Sequence, residues 1–143
     1  MNRLSRCIAI GALAISFATS AAADSGKSLF DRLGGLNALN AVVNELWTVV
    51  AADSRINARF VHTKPEVFGS QLLDFLCQAS GGPCTYRGKD MRAAHTGMKL
   101  SAADFDALAE DTAKVLDKFS VPSVEKNEVL HLLGSLKGDV IGR

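Results

Sequence analysis

Four stretches of this 143-residue chain repeat their apolar residues at the 3.6-residue period of a helix, and no stretch alternates as a strand with hairpin turns does. Leu39, Val42, Val43, Leu46, Trp47 and Val50 form the first face, and Phe68, Leu72, Phe75, Leu76 and Ala79 the second. Phe105, Leu108, Thr112, Val115, Leu116 and Phe119 form the third; Val129, Leu132, Leu133, Leu136 and Val140 form the last. The fold class is therefore all-α, with four long helices and short helical turns near residues 28–33 and 56–60. Pro65 disfavours helix at Lys64 while permitting a new one to begin, and Ser101-Ala102-Ala103-Asp104 matches a capping box.

Gly81-Gly82-Pro83 interrupts this helical code, because two glycines and a proline cannot continue a helix. A polar loop follows, up to Asp90, a good N-cap residue for a very short helix. Met91, Ala94, His95 and Met98 then fall at i, i+3, i+4 and i+7, so one narrow apolar face carries a single imidazole between two thioethers. A lone histidine on such a face is more often a packed residue than a ligand, and this segment alone does not decide between the two.

Residues 1–23 have the layout of a secretory signal: Arg3 and Arg6, an apolar run from Cys7 to Ala18, and a small-residue exit at Ala21-Ala22-Ala23. An apolar core of about a dozen residues is too short to span a bilayer of ~30 Å. The expectation is an exported, periplasmic chain whose mature domain is 24–143, with no membrane attachment once the signal is removed. Removal of Arg3 and Arg6 takes the formal charge from +1 to −1. With mixed charges and no basic run, nucleic acid is not an expected partner. Cys77 and Cys84 are placed to bridge across the Gly81-Gly82-Pro83 break in an oxidising compartment; the alternative is two separate thiols. A zinc site of Cys77, Cys84 and His95 matches no common spacing and lacks a fourth ligand.

Taken in order, Phe30-Asp31-Arg32-Leu33-Gly34-Gly35, the Phe60 corner, Gly81-Gly82-Pro83 followed by Tyr86 and Gly88, and Met91-Arg92-Ala93-Ala94-His95 resemble the truncated haemoglobins, most closely group 1. The resemblance extends over nearly the whole mature domain. It implies a globin-like, two-over-two helical sandwich around a non-covalently held haem b, with His95 as the proximal iron ligand. It also implies that Phe60 packs on the porphyrin. Trp47, Phe68, Leu72, Phe75 and Leu76 would wall the distal side, and Met91 would flank the imidazole. Thr63, Tyr86 and Arg87 are the candidate contacts at the haem edge. A haem slot needs these ingredients in any case: apolar walls, one neutral imidazole and polar groups at the rim.

Family members commonly carry a tyrosine where Trp47 stands and a glutamine or similar group where Phe68 or Leu72 stands. Here the distal positions are almost wholly apolar, with the Trp47 indole N–H and Gln71 as the nearby donors. Each missing donor forfeits roughly 1–3 kcal/mol of charge-assisted hydrogen bonding to dioxygen, and much less to nitric oxide or carbon monoxide. Gln71 stands where some relatives place a distal histidine, so five-coordinate iron is expected, and His62 is a candidate partner at the haem edge. His131 does not match the haem-crosslinking histidine of certain relatives. These features imply a haem-binding globin that reversibly binds a diatomic gas, oxygen or nitric oxide, and is more a carrier than an enzyme. The alternatives are a nitric oxide dioxygenase-type enzyme, needing a reductase that the sequence does not name, and a haem-carrying binding module.

Overall fold

The computed structural model describes residues 26–143; the expected signal segment, residues 1–23, lies outside the described residues. Seven α-helices follow in order: α1 (Leu29–Arg32), α2 (Gly35–Ala52), α3 (Pro65–Ala79), α4 (Met91–His95), α5 (Ala102–Lys118), α6 (Ser123–Ser135) and α7 (Lys137–Val140). A 3-10 turn, Asn57–Phe60, stands between α2 and α3. No strand occurs among the described residues, and no helix there is long and apolar enough to cross a membrane. Helix α2 packs on α3 and α5, and α5 packs on α6, which gives two helix pairs meeting through α2 and α5.

The helix starts follow local chemistry. Ser28 accepts the Asp31 N–H, Asp90 accepts the Ala93 N–H, and Pro65 opens α3 from an extended Lys64. Helix α5 begins with a complete capping box: Ser101 accepts the Asp104 N–H while Asp104 accepts the Ser101 N–H. Such a cap contributes typically ~1 kcal/mol.

Two stops differ from the periodic pattern. The last apolar face is broken at Leu136, whose N–H bonds back to Leu133, so that α6 ends there and α7 begins at Lys137. Helix α5 ends at Lys118, and Ser120 turns into the left-handed region. Phe119, the C-cap residue at this end, is 42% exposed rather than part of the inner face. Ala79, in the last turn of α3, is also exposed rather than part of an apolar face.

Val50, Ile56, Val115 and Leu116 form the driest part of the core, between α2, the corner and α5. Polar braces surround it. Arg32 reaches from α1 to Glu125 and Glu128 of α6, at 2.6 Å each. Arg55 donates to Asp53 and, at 2.6 Å, to Glu110 of α5, and it stands 3.6 Å from the fully buried Asp111. The Arg55 guanidinium holds the Asp53 carboxyl well below the usual carboxylate range. Arg59 donates to Asp104 at 2.9 Å, joining the corner to the start of α5.

Cys77 and Cys84 form a disulfide, which ties the buried end of α3 to the following loop and removes both sulfurs from any zinc site. Among the described residues no cluster of three His, Cys, Asp or Glu side chains is arranged to hold a metal ion. Gly82 sits inside this staple, and a Cβ there would lie 2.6 Å from the Phe30 ring and 2.7 Å from Cys77 Sγ. The Phe30 N–H also bonds to the Ser80 carbonyl, so α1, the end of α3 and the loop form one unit.

Closing so short a loop limits the unfolded chain by roughly 2–3 kcal/mol. Cys77→Ser is expected to lower the free energy of unfolding by about that amount in denaturant titrations. Oxidised wild type that matches the variant would show that the bridge adds no stability. A second expectation concerns pH. Hydrogen bonding from the Ser101 N–H, with further help from Arg59, holds the Asp104 carboxyl below its usual range. A depressed pKa contributes stability above the unfolded-state value of about 3.9 and loses it as the pH falls through the folded-state value. The stability gap between wild type and Asp104→Asn is therefore expected to be widest above about pH 5 and to narrow below about pH 4. A gap that does not change with pH would contradict this assignment.

Candidate functional site

The two helix pairs do not close on one another completely. Between them lies an apolar cavity of about 310 Å³, within the range of small-molecule and cofactor sites. One wall comes from α2, the corner and α3: Leu39, Val42, Leu46, Phe60, Phe68, Leu72, Phe75 and Leu76. The opposite wall comes from α4, α5, α6 and α7: Met91, Ala94, His95, Phe105, Leu108, Leu132, Leu136 and Val140. Met98 lies beyond the end of α4, which stops at His95, yet it still lines the cavity mouth at 37% exposure.

His95 is the chemical centre of the second wall. Its Nδ1 lies 2.7 Å from the Met91 carbonyl. A carbonyl can only accept, so Nδ1 carries the proton and Nε2 keeps its lone pair for a ligand. Metal-ligating histidines are oriented by this same kind of bond, which fixes both tautomer and ring plane. The i to i+4 spacing that put Met91 and His95 on one face thus also supplies the partner carbonyl.

The other polar groups at the cavity are mostly committed elsewhere. Ser80 and Thr112 donate to backbone carbonyls within their own helices. Tyr86 donates its hydroxyl to the Lys89 carbonyl, receives no side-chain partner in return, and stacks edge-on with Phe75 at 5.4 Å. Gln78 Oε1 accepts the Tyr86 N–H and so holds the loop against α3. Gln71 stands at the same edge, where a Cβ on Gly88 would overlap its Oε1 and the Tyr86 hydroxyl. Arg59 and Asp104 line another part of the cavity as an ion pair.

Several expected contacts fall elsewhere. Trp47 does not line the cavity; it packs behind it, with ring centroids 6.1 Å from Phe60 and 5.3 Å from Phe68. The helical turn presents Leu46 inward instead, and the indole completes an aromatic triad that supports the wall. Thr63 and Arg87 are likewise absent from the lining, because the corner turns Thr63 away and Arg87 points out from the loop into solvent. His62 and His131 are exposed and do not reach the cavity. Sequence reading missed the Arg59–Asp104 pair, since the capping role of Asp104 gave no hint of a cross-chain partner. The proximity of Arg59 to Phe60 was the available signal.

This donor set fits a haem. The slot is apolar on both faces, a single imidazole nitrogen is free on one wall, and Gln71, Tyr86 and Arg59 supply polar atoms at its edges. Residues 28–141 match the family model of the bacterial-like globins. The group 1 truncated hemoglobin of Tetrahymena pyriformis is 34% identical over 117 residues, covering 82% of this chain and 97% of the relative. That of Mycolicibacterium paratuberculosis is 30% identical, covering 79% and 83%. Among solved structures, the Fe(III) form of the Tetrahymena pyriformis protein superposes with a TM-score of 0.79 over 82% of this chain and all of the other. The 2/2 hemoglobin of a Synechococcus species, in a cyanomet state with covalently attached heme, gives 0.76 at 33% identity over the same shares. An all-helical chain with this slot, this oriented imidazole and these relatives belongs to the bacterial-like globin family as a group 1 truncated haemoglobin, a haem-iron protein.

Proposed function

We propose that this globin reversibly binds a diatomic gas, oxygen or nitric oxide, at a five-coordinate haem iron held by His95. A haem in this slot would be held by His95 and would supply an iron able to take a gas ligand. The observation that carries this reading is the contrast between the walls. His95 presents one free ring nitrogen, and the opposite wall of Phe60, Phe68, Leu72, Phe75 and Leu76 presents no side chain able to ligate a metal.

The same wall bears on the choice of gas. Dioxygen gains negative charge on binding and is favoured by a nearby donor; nitric oxide and carbon monoxide depend on one much less. Gln71 and Arg59 lie at the edges of the wall, and Arg59 is occupied with Asp104. The packing of Phe60 and Phe68 against Trp47 keeps the wall rigid, each aromatic pair adding about 0.5–1.5 kcal/mol beyond burial. These rings would keep water away from the iron of a bound haem. Tyr86 and Gln71 would meet the haem edge.

We also propose that the protein acts after export. The signal-like residues 1–23 motivate this, and the Cys77–Cys84 disulfide is the kind of bond that persists in an oxidising compartment. Fractionation of expressing cells, with amino-terminal sequencing of the product, is expected to find an exported chain starting near Asp24. A full-length chain confined to the cytoplasm would refute it.

Optical spectra of the ferric, dithionite-reduced and carbon monoxide-bound protein test the ligand assignment. Histidine-type haem spectra are expected for wild type, and His95→Ala is expected to lose them. A haem spectrum that is unaltered in the variant would remove His95 from its role. Leu72→Gln adds a donor to the bare wall and is expected to slow dioxygen release by about one to two factors of ten, while carbon monoxide release changes little. Unchanged dioxygen release would show that a donor already serves this pocket.

A further inference from the structure

The helix that carries His95 is too short to hold its own position. Its five residues compare with the ~12 or more that an isolated helix needs in water. Its local supports are the Asp90 cap and the Thr96 hydroxyl, which donates to the Arg92 carbonyl at 2.7 Å. Neither fixes where the helix lies relative to the cavity. Its principal packing partner is α7, itself a helix of only four residues.

We propose that residues 136–143 form a clasp that positions the His95 helix and so sets the strength of the iron–histidine bond and the retention of haem. This rests on His95 being the iron ligand. The clasp holds the segment after α4 through two reciprocal backbone bonds: the Gly142 N–H donates to the Leu100 carbonyl at 2.9 Å, and the Lys99 N–H donates to the Arg143 carbonyl at 2.6 Å. Lys99 and Gly142 both adopt left-handed backbone angles, φ 49° and 72°, which turn the two segments face to face. Arg92 of α4 pairs with Asp139 of α7 at 3.0 Å, and Arg143 donates back to the Gly138 carbonyl at 2.6 Å, closing the hook.

The other side of the clasp is anchored to the main body. Lys137 Nζ donates to Asp106 of α5 at 2.9 Å and lies 5.5 Å from the centroid of the Phe105 ring. Leu136 and Val140 face the cavity. The break at Leu136, which ends α6, is what allows α7 to turn across and reach α4. Movement of the clasp therefore moves the imidazole and part of the cavity wall together, without disturbing the α2–α5 core.

Full-length haem-loaded protein tests this through the ferrous iron–histidine stretching band in resonance Raman spectra and the rate of haem transfer to excess apomyoglobin. Thermal unfolding of the apo-protein is the control. Gly142→Pro removes the Gly142 N–H and cannot adopt its positive φ. It is expected to shift and broaden the band and to raise haem loss about tenfold, or about 1.4 kcal/mol. Arg92→Glu opposes Asp139 with a like charge at an exposed site, and is expected to raise haem loss about threefold or less, with recovery in the Arg92→Glu/Asp139→Arg double variant. An unmoved band, or haem loss that rises only in step with apo-protein instability, would overturn the clasp. So would unchanged haem loss in Arg92→Glu, even if Gly142→Pro does not fold. Survival of the band in His95→Ala would instead sink the ligand assignment, and the clasp with it.

Discussion

A slot held open through the middle of a small domain is the constraint on which this structure depends. Side chains that would otherwise meet in one core instead face each other across about 310 Å³ of cavity. The dry packing that remains, around Val50, Ile56, Val115 and Leu116, lies to one side of it. The two helix pairs must then be held at the right separation from the perimeter. Arg32 with Glu125 and Glu128, Arg55 with Asp53 and Glu110, Arg59 with Asp104, and the Cys77–Cys84 bond all stand at junctions between elements. Arg32 with Glu125 is largely sheltered, whereas Arg55 with Glu110 is exposed and of a kind that contributes little by itself; the shared value of these contacts is geometric.

The two walls divide the chemistry. One is built almost entirely of rings and aliphatic side chains, stiffened from behind by Trp47. The other offers an imidazole whose tautomer is set by a carbonyl one helical turn earlier. Nothing beyond the short α4 is required to choose which nitrogen is free, whereas the location of that nitrogen depends on elements distant in the chain.

That distinction explains what the sequence made legible. Periods of 3.6 gave the four long helices, and Asp90, Ser101 and Pro65 marked their starts because capping and proline chemistry is local. His95, Phe60, Phe68, Leu72, Phe75, Leu76, Tyr86 and Met91 all lie on the cavity. Trp47 was placed one layer too far inward, because Leu46 and Trp47 share a broad apolar face and only tertiary packing decides which one reaches the slot. Thr63 and Arg87 lie in irregular segments, where no period reveals direction. Leu136 continues the apolar pattern, so the period ran through the break, although Gly134 and Gly138 flank it and weaken the helix there. The Arg59–Asp104 pair joins residues far apart in sequence, and no single-chain pattern encodes it.

Trp47 is the only tryptophan in the chain, and it stands a single aromatic ring behind the slot. Radiationless energy transfer from an excited indole to a porphyrin falls with the sixth power of distance, so at this range a loaded slot leaves the indole dark. The protein therefore carries its own optical gauge of occupancy: emission reports empty molecules, and its recovery follows haem departure in real time without any added label.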